Sequence, residues 1–315
     1  MGSVVLSLDA ELAWGFHDQD TLLESRVAEA RDSWLRLLEL FDEFDVRTTW
    51  AVVGHLFLDS CDGTHADLPR SDGWFARDPG TWEGRDERWY GSKLVEAIES
   101  AGADHEIGSH TFSNVDMNTA SREIAAAEVR RCVELAEDRG LQVDSLAFPD
   151  NSVGHRDVLA AYGIRCYRGR RPRRWYDRGL LGSAAKLVGW PTGAIAPTLV
   201  TPEVDEYGLV NVPASLYLFS FEGWARSLAE RYGRDPIATM AKRGIDRAAT
   251  EDGVFHMWLH PNNLREERDF DRVRTIVEHL AEVRAETPLS VETMGDIAGE
   301  LKDDKPLPRE PIGPR

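Results

Sequence analysis

No apolar run in this 315-residue chain approaches 18 residues, so a membrane-spanning helix is excluded. A basic leader region is missing too. Met1-Gly2-Ser3 runs straight into Val4-Val5-Leu6 and reaches an acid at Asp9, which reads as a first strand and not a signal peptide. The expected location is therefore the cytoplasm. Lysine is scarce, 5 against 32 arginines, and 55 acidic residues outweigh 37 basic ones to leave a net charge of -18. Such a surface repels nucleic acid and anionic lipid and excludes them as partners. A carboxylate shell this poor in lysine suits solubility in a salt-rich cytoplasm, a halophilic trait. Three cysteines, Cys61, Cys132 and Cys166, lie far apart without metal-type spacing. They are expected to be reduced and buried as small hydrophobes. The chain also lacks an internal repeat and a glycine-rich phosphate fingerprint.

What is present is a hydrophobic content of 42% with ten tryptophans, ample for a core. Length alone allows two small domains or one large one. Val4–Leu8 reads as a buried strand, and Val27, Ala30, Trp34, Leu37, Leu38, Phe41 and Phe44 recur at helical spacing. Strands are expected again at Thr48–Val53, His105–Ser109, Ser145–Phe148, Ile164–Tyr167, Val210–Pro213, Val254–Leu259 and Leu289–Val291. Helices are expected at Leu94–Ala101, Ala125–Ala136, Arg156–Tyr162, Pro236–Ala249 and Phe270–Ala285. A Gly- and Asp-rich stretch, Asp59–Arg88, carries Trp74 and Trp82 and leads to Trp89. Residues 168–206 break the rhythm and read as an insertion with at most a short helix; 303–315, rich in proline, reads as a disordered tail. Alternating strands and helices imply parallel pairing and right-handed crossovers. About seven such repeats without a phosphate fingerprint favour an α/β barrel, one domain over 1–302, above an open dinucleotide-binding sheet.

Chemistry-bearing residues follow the strands: Asp9 and Glu11 after the first, His110 after the third, Pro149, Asp150 and Asn151 after the fourth, and His260 after Leu259. In a parallel barrel all of them sit on the C-terminal face, where active sites are built. Two carboxylates and two histidines there suit a one-metal hydrolase in which some residues hold the ion, one activates water and one protonates the leaving group. Singly, each is as readily a helix cap or a buried hydrogen-bonding group.

Together these segments resemble the polysaccharide deacetylase (NodB-homology, carbohydrate esterase) family over roughly residues 3–295. Ser7-Leu8-Asp9-Ala10-Glu11 is similar to its first motif. Glu106 through Asn114 resembles the second, Ala147-Phe148-Pro149-Asp150-Asn151 the third, and His256-Met257-Trp258-Leu259-His260-Pro261 the last. The resemblance implies a distorted (β/α)7 barrel of the NodB-homology type. It also implies metal-dependent removal of an acyl group from the nitrogen of an amino sugar or glycan. Asp9 would then be the general base taking a proton from metal-bound water, and His260 the general acid for the departing amine. Glu11 and His110 would hold the ion, with Asn114 at the third ligand position. Trp14 and Trp258 could stack on sugar faces or belong to the core; Pro149, Asp150 and Asn151 would line the substrate site.

Two positions depart from the family pattern. Asn114 replaces the usual second histidine of an i, i+4 pair, and its neutral amide is a poor partner for zinc. The expected ion is zinc or, given the amide, manganese, cobalt or magnesium, or none is bound; His17 or Asp116 could substitute. Asp150 stands where an arginine usually pairs with the catalytic carboxylate. A like charge near Asp9 is expected to push one of the two toward its protonated form unless Arg165, Arg168, Arg170 or Arg171 supplies the cation. The sequence therefore leaves three functions open: a working deacetylase, a catalytically impaired sugar-binding or regulatory relative, and a different C–N hydrolysis on the same barrel, such as deformylation or ring-amide opening. It leaves the oligomeric state open as well.

Overall fold

A computed structural model describes residues 2–17, 19, 24–69, 73–80, 87–172, 197–220 and 235–303. Trp82, the middle of the expected insertion and the proline-rich tail from 304 onward lie outside the described residues.

Among the described residues, ten strands form one sheet: β1 (Ser3–Ala10), β2 (Thr49–Val52), β3 (Glu106–Ser109), β4 (Ser145–Ala147), β5 (Cys166–Arg168), β6 (Glu203–Val204), β7 (Val210–Asn211), β8 (Leu216–Tyr217), β9 (Val254–Leu259) and β10 (Ser290–Glu292). The order is β6-β7-β5-β4-β3-β2-β1-β9-β8, with β10 beside β1. All pairs are parallel except β6 with β7, a short antiparallel ribbon within the expected insertion. β1 is the hub. Its first half pairs with β10 and its second half with β2, while β9 runs along its other edge. The run from β7 to β8 meets both ends of the sheet path: Val212 donates its amide to Tyr167 in β5, and Ser215 donates to His256 in β9. This run bridges the two ends of the path and curls the sheet toward the distorted α/β barrel that the sequence predicts. β8 was not foreseen, because Leu216 and Tyr217 make only two ladder pairs.

Helices cover the outside: α1 (Glu24–Ala28), α2 (Ala30–Glu43), α3 (Ser92–Glu99), α4 (Arg122–Glu137), α5 (Arg156–Ala161), α6 (Pro236–Ala248), α7 (Glu267–Glu286) and α8 (Met294–Asp303). Their starts follow capping chemistry. Ser121 accepts from the Ile124 amide ahead of α4, Asp235 accepts from Ile237 and Ala238 ahead of Pro236, and Glu266 with Asp269 forms a capping box on α7. Helix α6 lies so close to β9 that a Cβ on Gly244 would come within 2.2 Å of the Phe255 ring. β1 is buried along almost its whole length, and Trp34 stacks on Trp50 at 5.2 Å beneath α2.

Cys132 and Cys166 are buried as expected, and burial pushes the Cys132 thiol up to about 12. Cys61 departs from that reading. Its Sγ lies 3.5 Å from His55 Nε2, 3.2 Å from Asp78 Oδ2 and 3.1 Å from the Tyr90 hydroxyl, a polar setting.

Candidate active site

Four strand ends build one cavity of about 740 Å³, lined among others by Asp9, Glu11, Asn114, Trp74, Tyr217, Trp258 and His260. That volume lies within the range of small-molecule sites, roughly 300–1,000 Å³. Asp9 is the penultimate residue of β1, and Glu11 follows where the strand turns into a short 3-10 helix, Leu12–Phe16. Gly15 belongs there for lack of a side chain: a Cβ would sit 2.3 Å from Glu11 Oε2. His110 follows β3, and its Nε2 meets Glu11 Oε1 at 3.1 Å. His260 follows β9, with Nε2 3.5 Å from Asp9 Oδ2 and 3.7 Å from Glu11 Oε1.

The missing cation is Arg168, at the end of β5. It grips Asp9 through two bonds, Nη1 to Oδ1 and Nη2 to Oδ2, each 2.6 Å. Burial alone would raise the Asp9 carboxyl, but the Arg168 charge, then His110 and His260, outweigh it and bring the pKa to about 2. The expectation that Asp150 would drive a carboxylate toward its protonated form is therefore corrected. Asp150 lies exposed on the cavity rim, and a fully buried guanidinium neutralises Asp9. Arg165 instead pairs with Asp144 at 3.3 Å, and Arg170 donates to the Asn151 carbonyl at 2.7 Å. Burial would also keep His110 neutral; Asp9 and the bond to Glu11 prevail and raise its pKa.

Asn114 donates Nδ2 to the Trp14 carbonyl at 2.9 Å, which leaves Oδ1 buried with no hydrogen-bond partner among the described residues. Its φ of 59° is left-handed, as are those of Thr111, Asp150 and Asn151 around the same rim. Such backbone costs of order 1–3 kcal/mol per residue and clusters at functional sites. Buried Glu128 on α4 steadies the loop, accepting from the Ser113 amide at 2.8 Å and the Ser113 hydroxyl at 2.9 Å.

The other expected residues divide. Trp14 is 1% exposed and packs on His55, Phe75 and Trp89, so its face cannot meet a sugar. Pro149 is buried and supports the turn, whereas Asp150 and Asn151 line the cavity. Trp258 lines it too, but Tyr217 stacks on its ring at 4.2 Å and the Arg168 guanidinium lies 4.3 Å from its centroid. Two groups that close cannot share one face, so Trp258 offers the cavity an edge. His17 is buried, its Nδ1 2.8 Å from the Trp14 carbonyl, and Asp116 caps the Asn118 amide. Neither joins the Asp9, Glu11 and His260 group, whose donor atoms lie within 4.8 Å of one another.

Tyr217 is a functional candidate that the sequence reading missed. Its hydroxyl donates to Asn263 Oδ1 at 2.7 Å and lies 3.3 Å from His260 Nδ1. An Nδ1–H donated to that oxygen would aim Nε2 at the carboxylates.

A polysaccharide deacetylase family profile matches residues 18–165, which span the His110 and Pro149 segments. Solved structures with the same fold include a Mycobacterium smegmatis protein assigned as a polysaccharide deacetylase. It is 18% identical with TM-score 0.56, covering 100% of this chain and 95% of that one. A Puue allantoinase matches at 15% identity and TM-score 0.59, covering 97% and 91%. A Pseudomonas aeruginosa PAO1 protein assigned as a polysaccharide deacetylase matches at 14% and 0.57, covering 97% and 92%. No curated protein sequence matches the chain.

Proposed function

We propose that this chain, which carries a polysaccharide deacetylase domain, is a metal-dependent N-deacetylase hydrolysing an acyl-amide on an amino sugar, with residues 1–302 as one catalytic unit. The observation that carries the reading is the Asp9–Arg168 pair, since a carboxylate held ionised beside two histidines is what water activation needs.

A carboxylate and an imidazole in contact, with an unpartnered amide oxygen on the same cavity, support a divalent cation here. Glu11 and His110 would hold it, with the unpartnered Asn114 Oδ1 as a third donor, a set weighted toward oxygen and better matched to manganese or cobalt than to zinc. A bound ion would polarise the acyl carbonyl and acidify a water. Asp9, with a low pKa, takes a proton only from a strongly acidified water; both its oxygens stay oriented by Arg168. His260 delivers a proton from Nε2 to the leaving amine, and Tyr217 fixes its ring. Asp150, Asn151, Trp74 and the edge of Trp258 would meet the sugar.

The test is acetate release from N-acetylated amino sugars by purified protein supplied with manganese, cobalt or zinc, with Asp9→Asn as control. Turnover in the wild type and its loss in Asp9→Asn are expected. Silence with all three metals would favour the impaired, sugar-binding alternative.

A further inference from the structure

The stretch between β2 and α3 holds a second convergence of metal-binding side chains that deacetylation does not use. His55 Nε2 and His65 Nε2 each lie 2.8 Å from the same oxygen, Asp78 Oδ2. Cys61 Sγ is 3.2 Å from that oxygen and 3.5 Å from His55 Nε2. The four donor atoms all lie within 4.8 Å of one another. One carboxylate oxygen, with about two lone-pair sites, thus faces three donors. A tetrahedral ion bound at ~2.0–2.3 Å would separate its ligand atoms by roughly 3.3–3.7 Å, and the separations of 2.8, 2.8, 3.2 and 3.5 Å lie within about half an ångström of that range.

We infer that His55, Cys61, His65 and Asp78 form a structural zinc site, separate from the catalytic cavity, that staples residues 54–69 to residues 73–80. The donor types decide the metal. One thiolate and two imidazoles select zinc over the harder ions that suit the catalytic site, and four protein ligands leave no open position for substrate or water. The surroundings are built as an outer shell. His55 Nδ1 lies 3.1 Å from the Trp89 carbonyl, and a proton donated there would leave Nε2 to offer its lone pair to an ion in place of its contact with Asp78. The Gly63 amide donates to Cys61 Sγ at 3.3 Å, and the Gly80 amide donates to Asp78 Oδ1 at 3.0 Å. Asp62 closes the Cys61–His65 turn by accepting from the Thr64 and His65 amides at 2.8 and 2.9 Å.

The site neighbours the support of the cavity: the His55 ring packs on Trp14 at 4.5 Å between centroids, and the Trp14 carbonyl accepts from cavity-lining Asn114. The stapled segment also carries Trp74, which lines the cavity and donates Nε1 to the Ser113 hydroxyl at 2.9 Å. Zinc here would set the shape of one cavity wall without touching the reaction.

Cobalt substitution of the metal-stripped full chain tests this. Wild type loaded with cobalt is expected to show a thiolate-to-metal charge-transfer band; Cys61→Ser loses it, and Glu11→Gln keeps it. Zinc affinity at this site falls by more than about 100-fold in Cys61→Ser, beyond what an outer-shell change costs. No such band in wild type at saturating cobalt, or a band that persists in Cys61→Ser, overturns the assignment. Should Cys61→Ser not fold, thiol titration of wild type decides. One thiol should react with a disulfide reagent only after zinc is removed, and equal reactivity with and without zinc refutes the site. Neither readout depends on deacetylase activity.

Discussion

Arg168→Met is the substitution whose cost the structure fixes most closely. It removes both 2.6 Å bonds to Asp9 from a pair in which neither side chain is more than 3% exposed. Breaking one side of a buried ion pair typically costs about 3–5 kcal/mol, because the remaining charge is left unpaired. Protonation sets an independent ceiling. Asp9 can shed its charge by binding a proton, and for a carboxyl with an ordinary pKa of 3.8 this costs about 4.4 kcal/mol at pH 7, at about 1.36 kcal/mol per unit. At pH 5 the same step costs only about 1.6 kcal/mol. Urea unfolding in the presence of chelator should therefore show Arg168→Met destabilised by about 4 kcal/mol at pH 7 and by under about 2 kcal/mol at pH 5. The sign follows from linkage. The pKa of Asp9 is depressed in the folded wild type, so its contribution is present above the unfolded pKa and fades as pH falls toward 2. Arg168→Lys, which keeps the charge but loses the fork, should fall between wild type and Arg168→Met. A loss below about 1 kcal/mol at pH 7, or one that does not change with pH, would refute the view that Arg168 holds Asp9 ionised.

Asn114→His should shift metal preference toward zinc in competition titrations, since it supplies an imidazole in place of an amide; unchanged preference would mean that position 114 does not face the ion. Tyr217→Phe removes the hydroxyl beside His260 Nδ1 and should lower kcat about tenfold with KM unchanged and about 1 kcal/mol of stability lost. A wild-type kcat would show that His260 needs no partner. Buried His256, bonded to Ser7 Oγ at 2.8 Å and the Val212 carbonyl at 3.2 Å, is pushed to about 3 by burial first and the Arg168 charge second. The unfolded chain binds a proton there below about 6.5 and the folded one does not, so stability falls by about 1.4 kcal/mol per pH unit between pH 6 and 4. His256→Gln should flatten that slope, and parallel slopes would count against a neutral His256.

The alternation of strands and helices was legible because each long element repeats its period over several residues. β1, α4 and β9 fall within a few residues of expectation. The site residues after β1, β3 and β9 were legible for the same reason, as strand ends fix where side chains converge. Arg168 was one of four equal candidates, since choosing among them needs register: it lies beside Ala147 in the β4–β5 ladder. Trp14 was misjudged because an indole reads alike in a core and on a rim. The cluster around Asp78 went unseen because spacing was judged between cysteines, whereas the partners of Cys61 are histidines at 55 and 65 and a carboxylate 17 residues on.

Because the cation reaches Asp9 from β5, the strand next to the expected one, the charge on that carboxylate is balanced by Arg168 and not by the residue at position 150. A residue tied to a buried ion pair has almost no permitted replacements, whereas one on an open rim is free to vary with whatever enters. On the proposed function, Asp150 on the cavity rim would bear on selectivity and not on the machinery. Replacing it with neutral or basic residues should retune which sugars are admitted and leave the protonation state of Asp9 alone. A motif scan that reads position 150 as a lost arginine would discard such a chain as inactive, when a neighbouring strand has taken up the duty.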